Sequence, residues 1–126
     1  MELSAADLGS FVALLATLRS SENVARAAAE KRYADALKTD TSRVFASLSA
    51  CLDASATGQD DVLRTHAATL LRRAIVQSGS GETSWSKASA AVQAHVRLAL
   101  FRALERESSA QVRKLLVAVI SAVAGQ

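Results

Sequence analysis

Three arginines recur with similar neighbours. Each follows an apolar residue, in Ala25-Arg26, Leu63-Arg64 and Val112-Arg113. A guanidinium is a planar fork of donors, and one that repeats on stacked helices typically holds an acid or a carbonyl of the neighbouring repeat. Arg26, Arg64 and Arg113 are therefore read as structural. Arg72 and Arg73 form a second concentration of charge. Adjacent helical residues point about 100° apart, so at most one of the two faces a given partner squarely. On their own they describe a solvated face.

The other reactive residue types do not assemble into a site. His66 and His95 stand 29 residues apart on different segments, and neither has a second ligand at the i+4 position that zinc chemistry favours. Cys51 lies on an apolar stripe with Leu48 and Leu52 and reads as a small buried hydrophobe. Gly79 and Gly81 lack the following Gly-Lys-Ser/Thr of a phosphate loop. Asp60 and Asp61 suit the first turn of a helix. Trp85, after a Gly/Ser-rich loop, reads as an anchor onto the core. No serine comes with a histidine and a carboxylate in a recognisable catalytic pattern. The expectation is a non-enzyme with no cofactor and no metal.

Six segments carry helical periodicity. They run near 8–19, 24–37, 42–54, 60–77, 87–107 and 110–124. Leu8, Phe11, Val12, Leu15 and Leu18 make one apolar stripe, and Val92, Val96, Leu100 and Leu104 make another. Ser20 to Asn23 breaks the first segment from the second and offers capping side chains. Residues 38–41 form a short polar link, Gly58 is placed to end a helix, and residues 78–84 form the longest loop. The segments group into three pairs.

Composition agrees with an all-α fold. The 126 residues include 27 alanines and no proline, with 4% aromatic residues. Alanine is the best helix former, whereas strands favour β-branched and aromatic side chains. Half the chain is hydrophobic, enough for a core and too much for a disordered chain. The net charge of +3 is mild and has no basic block, so direct nucleic-acid binding is not expected. The single cysteine excludes a disulfide framework and suits a reducing compartment. The most apolar stretch, residues 115–125, is too short to span a bilayer, so no membrane insertion is expected.

The pairs align with one another. Three residues after each recurring arginine come Ala29, Ala67 and Leu116; seven after come Tyr33, Leu71 and Ile120; ten after come Ala36, Ala74 and Val123. All are apolar and share one helix face. The arginine spacings of 38 and 49 residues straddle the period of HEAT and armadillo repeats. The pattern predicts a right-handed α-solenoid of about three HEAT-type hairpins, near 5–38, 40–78 and 85–125. The last helix is apolar on more than one face, where a terminal cap is polar outside. That predicts a fragment of a much longer solenoid.

These residues resemble the N-terminal end of an importin-beta (karyopherin-beta) transport receptor, most closely the karyopherin beta-3 branch. Ser21-Glu22-Asn23-Val24-Ala25-Arg26 with Ala29-Glu30 and Tyr33 is similar to the first-repeat pattern of that family. Arg64, Ala67-Ala68 and Leu70-Leu71-Arg72-Arg73 are similar to its second-repeat signature, and Val112-Arg113-Lys114 to the start of the third B helix. The sequence departs at Ser21, Ala74 and Ala88, where the family usually has proline, leucine and leucine. The resemblance implies a receptor that shuttles between cytoplasm and nucleus. Its partners would be the GTP form of the small GTPase Ran, phenylalanine-glycine nucleoporins and, through later repeats, protein cargo. By position it assigns Arg72, Arg73 and Lys114 to the Ran-facing surface. The alternative is a HEAT-repeat scaffold or adaptor outside nuclear transport.

Overall fold

A computed structural model describes residues 3–53, 60–76 and 84–126. Seven helices occur among them: α1 Ala5–Leu18, α2 Asn23–Thr39, α3 Thr41–Ala50, α4 Asp61–Val76, α5 Ser84–Lys87, α6 Ala90–Arg106 and α7 Ala110–Ala124. No strand occurs among the described residues, so the all-α expectation holds. The helix starts are set by local chemistry. The side-chain oxygens of Ser4, Ser89 and Ser109 accept from the amides of Asp7, Val92 and Val112 at 3.0, 3.2 and 3.3 Å. Asp60 Oδ1 accepts from the Leu63 amide at 3.0 Å. Each bond satisfies an amide that the first helical turn leaves without a partner.

The structure corrects several expectations. There are seven described helices rather than six. The extra one is α5, a single turn that holds Trp85 in the core. The indole meets the Phe45 ring edge-on at 5.5 Å, and Gln93 Nε2 donates to the Trp85 carbonyl at 2.8 Å. Docking this turn forces a break, and α6 restarts at the Ser89 cap instead of running from Lys87. Residues 38–41 are not a link, because only Asp40 separates α2 from α3. The Thr41 hydroxyl donates to the Leu37 carbonyl at 2.7 Å, which folds the bend back onto the end of α2. Asp60 precedes α4 as its cap, whereas Asp61 does lie in the first turn. α3 ends at Ala50. The predicted helix end at Ala54, the Gly58 turn, Gln77 and the Gly79–Gly81 loop lie outside the described residues.

One core runs through all three pairs. Leu15 of α1, Val44, Phe45 and Leu48 of α3, Leu71 and Ile75 of α4, Val96 and Leu100 of α6, and Leu116 and Val119 of α7 are buried in it. α3 packs on α6 and α4 packs on α7, so the second and third pairs lie side by side. The first pair is set differently. α1 rests on both α3 and α4, while α2 rests on α1 and α3 and buries only Ala29 fully. Alanine at that position lets the helix approach closely but contributes little apolar area.

Phe45 of α3 is fully buried against Trp85. Phe45→Ala should cost about 3–5 kcal/mol of unfolding free energy, as aromatic-to-alanine cavities do. Denaturant unfolding followed by Trp85 fluorescence will measure it.

Candidate functional site

The three recurring arginines occupy three related places. Arg26, in the first turns of α2, donates to the Ser20 carbonyl at 3.2 Å and to Asn23 Oδ1 at 2.8 Å. Arg113, near the start of α7, donates to the Leu104 and Glu107 carbonyls at 2.8 and 3.2 Å. Each thus reaches a carbonyl six residues back, in the turn that enters its own helix. They hold their own pair closed, not the neighbouring repeat. Arg64 acts between pairs. Its Nε and Nη2 donate to the two carboxylate oxygens of Glu107 at 2.7 and 3.1 Å.

Arg64 and Glu107 are both buried, with side-chain exposures of 5% and 0%. Glu107 sits between α6 and α7, so the fork ties the start of α4 to the start of α7. The two helices also pack extensively on each other, so from these adjoining starts they run in the same direction. Glu107 Oε1 also accepts from the Ser109 amide at 3.1 Å, within the turn. Burial alone would raise the Glu107 pKa. The hydrogen bonds from Arg64 and from the Ser109 amide outweigh it and hold the carboxyl below the ordinary glutamate range.

Arg72 and Arg73 are both exposed, on the outer stripe of α4 with Val62 and Val76. Lys114 is exposed on α7, one turn beyond Gln111. The two helices lie together, but Lys114 stands beside the early turns of α4 and the arginine pair beside its end. Arg73 lines a cavity. This is an open groove of about 470 Å3 bordered by Arg19, Thr65, His66, Thr69, Arg73 and Gln111, with Asp61 and Val62 beside them.

Arg19 and His66 are the pair that sequence inspection passes over. They are 47 positions apart, and Arg19 Nη1 donates to His66 Nδ1 at 2.9 Å. With Nδ1 accepting, the neutral ring carries its proton on Nε2. Burial lowers the His66 pKa, and the charges of Arg19 and Arg73 lower it further. The unfolded chain therefore takes up this proton more readily, so acidification through the imidazole range costs stability.

The remaining reactive residues are placed as follows. Cys51 is buried at the end of α3, and burial pushes its thiol up to about 11 against the opposing pull of Arg19. Tyr33 of α2 is pushed up to about 12 by burial, again against an arginine, here Arg73. Both are neutral near pH 7. His95 is exposed on α6, in a separate cleft with Asp53, Arg102 and Arg106. No group of three metal-ligating side chains occurs among the described residues. No described helix is long and apolar enough to cross a membrane. On the outer side of the last pair, Phe101 is 54% exposed beside Ile120 and Val123.

No known family model matches this sequence, and no curated protein matches it.

Removing one partner of a buried ion pair strands the other charge, at a cost of about 3–5 kcal/mol. Glu107→Ala should show that loss in denaturant unfolding. Arg64→Met combined with Glu107→Leu should recover most of it, because the desolvation cost goes with both charges. The folded Glu107 pKa is depressed. Its contribution is therefore complete above the ordinary carboxylate range and is lost as pH falls through and below that range. Stability measured against pH should lose that part of its acid slope in the double variant.

Proposed function

We propose that the chain is a protein-binding module of HEAT-type helical hairpins that presents the second members of its pairs to an acidic partner. Its sharpest form is the N-terminal part of an importin-beta-type receptor, with Ran in its GTP form as the partner. The observation that carries the reading is the joined pair α4 and α7, with Arg72, Arg73 and Lys114 all exposed on it. Three cations on parallel, rigidly coupled helices form a fixed positive surface. Such a surface steers and orients an acidic protein.

Two further features support a repeat architecture. The arginine-to-carbonyl step of six residues occurs at both Arg26 and Arg113. α3 lies on α6 as α4 lies on α7, which is the side-by-side stacking by which hairpin repeats bury a continuous core. A regular right-handed solenoid of three hairpins is the extension of that stacking to the first pair. Nucleoporin and cargo binding would then belong to the outer helices and to later repeats. The tilt of α1 onto α4 as well as α3 favours a second reading, a HEAT-repeat scaffold or adaptor outside nuclear transport.

Calorimetric titration with Ran loaded with GTP or GDP tests the proposal. Binding of the GTP form alone is expected, and Arg72→Ala with Arg73→Ala should weaken it about tenfold or more, as loss of interface arginines does. Lys114→Ala should have a smaller effect in the same direction. If neither form binds, the receptor reading fails and the scaffold reading stands.

A further inference from the structure

We propose that the groove between the end of α1 and the outer face of α4 is a binding site for a phosphate group. It shares Arg73 with the surface proposed above but does not depend on that partner, because it rests on the groove. Arg19 enters from the end of α1, His66 and Arg73 come from α4, and Gln111 borders it from α7. Among the described residues neither Arg19 nor Arg73 has a carboxylate within ion-pair distance. Every other close cation–carboxylate contact found there involves Arg26, Lys31, Arg43, Arg64 or Arg106. The volume of about 470 Å3 is many times that of a water molecule.

The charges around His66 define the ligand. Arg19 touches its ring at Nδ1, and the charge of Arg73 also acts on it. Asp61 borders the groove from the first turn of α4 and pairs with neither arginine. Tyr33, which feels the charge of Arg73, and Cys51, which feels that of Arg19, are neutral. α7 contributes the uncharged Gln111 to the lining. The balance is two guanidinium charges against one carboxylate. The donors also include the Nε2–H of His66, the hydroxyl of Thr65 and the Gln111 amide. Donors arriving from three helices suit a tetrahedral dianion better than a planar carboxylate, which one arginine fork satisfies. The phosphate is that of a phosphorylated side chain of another protein or the free ion, since both present the same chemistry to the groove.

NMR titration of the full chain with inorganic phosphate near neutral pH tests this, read at the His66 ring and the Thr65 and Thr69 amides. Saturable shifts confined to the groove are expected. Arg73→Gln should weaken them about tenfold, whereas Arg72→Gln, whose side chain is outside the groove, should change them less than twofold. Arg19→Gln should weaken binding like Arg73→Gln, with circular dichroism confirming that both variants are folded. Sulfate should raise the His66 pKa, because a dianion offsets the two guanidinium charges. Tighter binding of N-acetyl phosphoserine amide than of inorganic phosphate would assign the group to a phosphorylated side chain; the reverse would assign it to the free ion. Equal, unsaturable shifts with phosphate and chloride, or equal losses in Arg72→Gln and Arg73→Gln, would overturn the proposal, since either reduces the groove to diffuse surface charge.

Discussion

The buried fork between Arg64 and Glu107 is the contact on which the register of this fold depends. It joins the first turn of α4 to the turn that leads into α7. Two long helices with alanine, leucine and valine seams can slide past each other by a turn and still set apolar side chains against apolar ones, at a cost in packing. A bidentate ion pair cannot, because each oxygen and nitrogen must be met in the dry interior. The same carboxylate accepts from the Ser109 amide, so one side chain sets both the turn and the packing of the helix that follows. The apolar contacts of Leu71, Ile75, Leu116 and Val119 then assemble in a single register.

Helical pairs joined by short links need their links closed as well as their faces packed. Arg26 and Arg113 close two of them by donating to the turn carbonyls of Ser20 and Glu107. This arrangement leaves the helix faces to apolar residues. The first pair contributes less to the core than the others. α2 buries only one alanine fully, and α1 supplies the fully buried Leu15. α3 is buried along most of its length, and its Phe45 meets Trp85 edge-on.

Charge is distributed in the opposite sense to the core. Inside, cation and anion are matched one to one at Arg64 and Glu107. Outside, on α4 and α7, cations outnumber acids: Arg72, Arg73 and Lys114 are exposed, and Arg19 and Arg73 border a groove that holds a neutral histidine. The rigid coupling of α4 to α7 makes that outer surface a fixed electrostatic feature, since its two halves cannot move apart without breaking the buried pair.

Much of the fold was legible in the chain. Alanine content, the absence of proline and the four-residue steps of Val92, Val96 and Leu100 determine helices, because propensity and amphipathic periodicity are local properties. The recurrence of Arg26, Arg64 and Arg113 marked the residues that organise the pairs. It did not distinguish the two that reach turn carbonyls from the one that forms a buried fork with an acid, since that depends on what lies opposite. Trp85 was legible as an anchor, but its separate turn was not, because the break at Ala88 and Ser89 comes from docking the indole on Phe45. The groove was invisible for the same reason. Arg19 ends one helix and His66 lies inside another, 47 positions away, with no shared period or motif. Sequence determined which segments are helical and which faces are apolar; the angle at which α1 crosses α4, and so the meeting of Arg19 with His66 and Arg73, is decided by three-dimensional packing alone.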